Sequence, residues 1–216
     1  YTVNRDEGDD THATDIRVDH NFSGNDRFFA RYSYSNNHKV RPSPFEGDGD
    51  GGGFNEGDED VRVHGFAASH THMFSSTLIN EARFGLSREH TFRLQPGGDD
   101  TSDLPSRYGI TGIPQVVGNG GLPLISFRDN MSPLGHSGWV VSERFSNTAQ
   151  FSDNLTKVYG SHTFKTGYVF QDIFFGSTQP PYARGEYYWD GRYTSLANQI
   201  DPSTSRVHFL LNQIPS

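Results

Sequence analysis

The clearest chemical spacing in the chain lies in an acidic, glycine-rich run. In GDGDGGGFNEGDED, Asp48, Asp50, Gly53 and Glu59 fall at positions 1, 3, 6 and 12 of a calcium-loop pattern. Carboxylates on tight, glycine-enabled turns are what a hard cation takes, so Asp48, Asp50 and Glu59 form a candidate calcium set. Position 5 is Gly52 where Asp or Asn is expected, and no helical pattern flanks the run. The competing reading is a solvated, flexible surface loop. No other cofactor is required by the sequence.

The histidines are the second candidate. His64, His70 and His72 share one strand face by parity, and His90 follows on the next strand. The alternate spacing of His70 and His72 could offer two imidazoles to one metal. The plainer reading is that they face a polar interior or pair across strands, since no carboxylate partner can be assigned to them from sequence.

Catalytic motifs are missing. No Gly-x-Ser-x-Gly elbow occurs, and GDGDGGG lacks the Lys-Ser/Thr of a phosphate cradle. Cys is absent, which removes thiol nucleophiles, zinc-thiolate sites, disulfides and covalent c-type haem. The chain is expected not to be an enzyme. A net charge of -8 with no basic stripe argues against a nucleic-acid partner. The pairs Phe28-Phe29, Phe174-Phe175 and Tyr187-Tyr188 each send one ring to either side of a strand. One ring of each pair could contact a sugar or peptide, although lipid-facing or girdle positions explain them more simply.

The elements that carry these residues are strands. In FSNTAQFSDNLTKVYGSHTFKTGYVFQDIF, Phe145, Asn147, Ala149, Phe151, Asp153 and Leu155 alternate with Thr148, Gln150, Ser152 and Asn154. After the break around Gly160, Phe164, Thr166, Tyr168, Phe170 and Phe174 alternate with Lys165, Gly167, Val169, Gln171 and Ile173. Each arm is about 10 residues or more, enough to cross a membrane at a tilt. The same grammar gives hairpins over residues 11–35, 61–92 and 143–175, with a further strand over 185–194. Ser195 to Leu211 is the one plausible helix, interrupted by Pro202. Residues 36–60 and 95–142 read as long loops rich in Gly, Asp and Pro.

Composition agrees. Only 32% of the 216 residues are hydrophobic and the mean hydropathy is -0.69, yet 13% are aromatic. Greasy residues on alternate positions suit a membrane-barrel wall, lipid outside and water inside, better than a thick soluble core. No apolar run approaches the ~20 residues of a membrane helix. Short turns alternating with long loops complete the picture of an all-β, antiparallel outer-membrane-type wall. With about seven strands by pattern, this wall is incomplete as a monomer.

Five phrases in order carry a family resemblance: DIRVDHNFSGNDRFFARYSYS, ASHTHMFSSTLINEARFGLSRE, GITGIP with GLPLISF, DNLTKVYGSHTFKTGYVFQ, and GRYTSLANQIDPSTSRVHFLLNQIPS. They resemble the barrel of bacterial TonB-dependent outer-membrane receptors, in the Oar-like subgroup with an upstream carboxypeptidase-regulatory-like domain. The last phrase ends Asn212-Gln213-Ile214-Pro215 in place of that family's Gly-containing ending. The resemblance implies a barrel of about 22 strands around a plug, nutrient uptake, and coupling to the TonB system through that plug. The plug is not among these residues, so an interior fragment of the barrel is expected, surrounded by lipid or detergent. A second reading rests on the open strand edges. Copies could pair edge to edge into an extracellular tube or fibre, a homo-polymer.

Overall fold

The computed structural model describes residues 4–43, 45, 47–49, 56–129, 131–139, 141–197 and 199–212. They form eight strands: β1 (Gly8–Asn21), β2 (Asp26–Arg41), β3 (Gly57–Ser75), β4 (Leu78–Leu94), β5 (Leu124–Phe127), β6 (Ser142–Tyr159), β7 (His162–Thr178) and β8 (Glu186–Trp189). One short helix, α1 (Ser205–Asn212), closes the chain, and single 3-10 turns stand at Leu104–Tyr108 and Pro202–Thr204.

Six strands make one antiparallel sheet in the order β1-β2-β3-β4-β6-β7. Each wall strand pairs with the next wall strand in sequence. Three hairpins close on short turns: residues 22–25, Ser76-Thr77 and Gly160-Ser161. Ser23 holds the first, its Oγ donating to Asp26 at 2.7 Å and accepting from the Asn25 amide at 3.1 Å. Gly160 turns the third at φ +60, a region that suits glycine. All three turns lie at one rim, and all long connections lie at the other. The sheet is not closed: β1 and β7 are its edges.

The expected hairpins are all present, and longer than the hydrophobic pattern indicates. Strands of 14 to 19 residues exceed the 9–11 or so that cross a bilayer at a tilt. The extra length lies at the long-loop rim, where apolar alternation fades and cross-strand ion pairs replace it. Lys39 meets Asp9 at 3.0 Å, and Arg93 Nε donates to Glu59 at 2.7 Å. Opposite charges directly across a ladder stabilise it without apolar side chains.

Two expectations are revised. The strand expected over 185–194 is only β8, which pairs in parallel with β5 and not with the wall. The helix begins only after Pro202, which opens a 3-10 turn capped by Asp201, whose Oδ1 accepts from the Ser203 amide at 2.9 Å. Proline lacks the N–H that a helix interior needs, and fits a first turn.

The sheet's partners at the long-loop rim are the connections themselves. The described residues of 95–141 and 179–212 fold into a cap around β5, β8 and α1. The buried hydrophobic side chains of the described residues, Leu104, Leu122, Ile125 and Phe127, are all in it.

Candidate functional site

Pairing register sorts the wall into two chemically different faces. Residues directly opposite each other share a face. One row reads Val18, Ala30, Ala68, Phe84, Phe151 and Phe170, and the next toward the long-loop rim reads Ile16, Tyr32, Phe66, Leu86, Ala149 and Asp172. The rows behind them read Arg17, Arg31, Ala67, Gly85, Gln150 and Gln171, and Asp19, Phe29, Ser69, Arg83, Ser152 and Val169. The first is an aromatic face, the second an ionic face. Lipid can meet only the aromatic one cheaply, which turns the ionic face to the lumen.

The ionic face carries a ladder of pairs. Arg17 holds Asp19 through two 2.7 Å bonds, Arg31 holds Asp15 at 2.8 Å, and Arg83 holds Glu81 at 2.8 Å. Each is exposed to solvent and contributes little to stability, so their role is to set the character of the lumen rather than to hold the sheet together. In their midst stands Phe29, with the Arg17 guanidinium 4.5 Å from its ring centre. Two adjoining hollows of about 230 and 250 Å³ flank it. Gln150, Ser152 and Arg83 line the first, and Asp19, Arg27 and Glu81 the second. The trough offers an aromatic platform, fixed cations and fixed carboxylates in one place. That combination has the chemistry to hold polar or zwitterionic solutes by stacking and charge-assisted hydrogen bonds.

The cap is built differently. β5 and β8 pair from Leu124↔Glu186 to Phe127↔Trp189, and Ile125 and Leu134 exchange backbone bonds of 2.8 and 2.9 Å. Phe127 and Trp189 both pack edge-on against Phe209, at 5.4 and 5.5 Å. Gly135 takes φ +80, and a β-carbon there would lie 1.9 Å from the Pro123 carbonyl oxygen, so only glycine fits.

A buried polar group anchors the cap to itself. The Leu122 amide donates to His136 Nδ1 at 3.0 Å, and Arg184 Nη2 donates to the Ser137 carbonyl at 2.7 Å. Burial, and then the Arg184 charge, push the His136 imidazole down to about 4. Burial likewise pushes the Arg184 guanidinium down to about 10. An imidazole held neutral keeps Nδ1 free to accept the Leu122 amide.

The acidic run is divided between these regions. Asp48 accepts from the Tyr108 hydroxyl at 3.0 Å and lies 3.4 Å from Arg107, which ties the β2–β3 connection to the cap. That bond to Asp48 raises the Tyr108 phenol above its usual value. Glu59 is inside β3, bound by Arg93. Asp50 lies outside the described residues. Among the described residues, no three His, Asp or Glu side chains come together as metal ligands.

All eight strand histidines, from His12 to His162, fall on the aromatic face. His64 meets the Tyr32 hydroxyl at 2.8 Å, His90 bonds Glu143 at 2.9 Å, and His70 and His72 both approach Asp26. The carboxylates that the sequence left unassigned are thus cross-strand neighbours. Imidazole has a neutral form available, which suits an interface with lipid better than guanidinium does. Phe28 and Phe29 take opposite faces, as alternation requires, as do Phe174 and Phe175. The Arg17–Phe29 contact and the His136–Arg184 knot carry no sequence signal. One needs the register, the other a loop conformation.

No curated protein and no solved structure matches the chain. A family model described as an outer membrane beta barrel domain matches residues 1–216. That match agrees with a wall whose two faces suit lipid and water, and points to a bacterial outer-membrane location. The chain belongs to the outer membrane β-barrel domain family.

Proposed function

We propose that the chain is part of the wall of an energy-coupled, TonB-dependent receptor for nutrient uptake, without catalysis of its own. The observation that carries this reading is the folded cap. A passive pore needs its rim loops only as connections, whereas the described residues of 95–141 and 179–212 build a core of their own where solutes arrive. The five ordered sequence phrases favour the same family. In this reading the cap captures the solute and the Arg17–Phe29 trough lines its path. A plug and its coupling segment would lie outside these 216 residues.

The test is uptake by cells lacking the gene, assayed with labelled iron chelates, cobalamin, oligosaccharides and peptides, with and without a protonophore. One solute should lose uptake in the deletion, and its uptake in the parent strain should stop when the proton gradient collapses while surface binding persists. Uptake that survives the protonophore would overturn energy coupling. Edge-to-edge assembly into a fibre draws no support from a family that places the chain in a membrane wall.

A further inference from the structure

The strand cations are divided unevenly between the two faces. Nine of the twelve strand-borne Lys and Arg residues point to the ionic face. Of the three on the aromatic face, Lys157 donates to Thr77 Oγ1 at 3.0 Å beside the short-turn rim. The other two, Arg62 and Arg88, are neighbours. Arg62 pairs across the ladder with His90, and Arg88 with His64. The four side chains line a cleft of about 290 Å³. Neither guanidinium forms an ion pair or hydrogen bond among the described residues.

Nearby carboxylates do not fill the cleft. Glu143 is bonded by His90 at 2.9 Å, and Asp60 by His38 at 3.1 Å. Asp172 lines the adjoining hollow with Arg88 but makes no ion pair with it among the described residues. His90 lies flat on Phe145 at 4.4 Å, and His64 packs on Tyr34 at 5.0 Å, so two of the walls are rigid.

The level of the cleft matters most. Arg88 is four residues and Arg62 six residues from the apolar Val18–Phe170 row, counted along the ladder toward the long-loop rim. That is roughly 13 and 20 Å along a strand, or about 10 and 14 Å in height at the usual tilt. With the Val18–Phe170 row taken as the middle of an apolar band about 25 Å tall, the band ends at this level. Long loops mark the extracellular rim of bacterial barrels, so the cleft faces the headgroups of the outer leaflet. Immediately below it, Phe66, Leu86 and Phe84 present an apolar surface for acyl chains, the rings of Phe66 and Phe84 lying 6.1 Å apart.

We propose that the Arg62–His64–Arg88–His90 cleft on the lipid-facing side of the wall binds the phosphate of an outer-leaflet glycolipid, whose acyl chains lie on Phe66, Leu86 and Phe84. Two guanidinium groups without partners among the described residues supply charge and directional donors for a phosphate. The apolar rows below select a lipid over a free anion. This site is separate from the luminal trough and does not depend on transport.

The test uses the protein extracted from outer membranes in mild detergent, with native mass spectrometry and a lipopolysaccharide titration. Wild type should retain lipopolysaccharide. The double variant R62Q/R88Q should bind it about twenty-five-fold more weakly, at a factor of about five per surface arginine. Lys165→Glu, a charge reversal on the ionic face, should change nothing. R62K/R88K should retain part of the affinity, and heat-dependent gel migration verifies that each variant is folded. Lipopolysaccharide stripped of its phosphates should bind like the double variant. Equal retention by wild type and R62Q/R88Q would overturn the proposal. So would full competition by millimolar inorganic phosphate, which would mark a free-anion site.

Discussion

In the wall, backbone ladders tie each strand to the next, and side chains on both faces stay largely open to their surroundings. In the cap, pairing is sparse and irregular, and the side chains close on one another and on the backbone: Phe127 and Trp189 on Phe209, His136 on the Leu122 amide, Arg184 on the Ser137 carbonyl. One region relies on repetition and the other on particular contacts. The wall needs lipid to cover its aromatic face, so its stability belongs to the protein and membrane together. The cap carries its own interior and meets water. A substitution should therefore be felt according to region and face more than residue type.

The largest effect should come from emptying the cap's core. Phe127→Ala should destabilise the cap by about 4 kcal/mol while leaving the wall's strand content unchanged. The two regions can be read separately because both tryptophans, Trp139 and Trp189, sit in the cap. Their fluorescence reports it alone, and far-ultraviolet circular dichroism reports mainly the wall. If strand signal and fluorescence were lost together, the regions would be one cooperative unit and the contrast would fail.

The next test concerns the faces of the wall. Phe84→Arg puts a charge in the apolar row and should cost about 3 kcal/mol in bilayers, whereas Gln150→Arg on the ionic face should cost less than about 1. Urea titration of the membrane-inserted protein measures both. Equal costs would mean that the faces are wrongly assigned.

Acid should act on the cap. His136 is held near 4 in the fold against an ordinary value of 6.5, so the unfolded chain takes up the proton first. The cap's stabilisation is then complete above about pH 6.5 and is lost progressively as pH falls toward 4, by about 2 kcal/mol at pH 5. Tryptophan fluorescence against pH should show this loss, and His136→Gln should abolish its pH dependence. A cap unchanged down to pH 4.5 would show that the fold does not hold the His136 imidazole below its ordinary range. The smallest effect is expected at Arg17→Ala, which removes the contact with Phe29 at an exposed site and should leave the urea midpoint of the wall nearly unchanged. If the trough receives solute, solute affinity should fall even so.

The contrast also sets how much could be read from sequence. The wall was legible because strand alternation has period two and the register follows from short turns. Phe145 through Phe174 alone shows two strands, their faces and their turn. The strand ends were less legible, because Lys39–Asp9 and Glu59–Arg93 extend the ladder with charge instead of apolar residues. Glu59 consequently reads as the last position of an acidic loop while it stands in β3. The cap was nearly illegible. β5 and β8 have four residues each and pair across a long separation, and neither has room for a period. Its controlling groups, His136 and Gly135, sit in an irregular segment where no spacing rule applies. Arg62 and Arg88 could have been placed on the aromatic face by parity, but only the register shows that they are neighbours.

The cap also bears on how the wall assembles. Every wall pairing except one closes a hairpin or joins strands that are near in sequence. At β4–β6, 47 residues intervene between the two strands. Bringing the ends of a flexible segment of that length together costs on the order of 3 kcal/mol in chain entropy, a barrier that a two-residue turn does not face. A cap that has already collapsed, with β5 on β8 and Phe127 on Phe209, has given up most of that freedom and holds the two ends of the segment close. The order of events then favours rim before closure, and a chain with a weakened cap should insert its first four strands at normal speed and dock the last hairpin slowly.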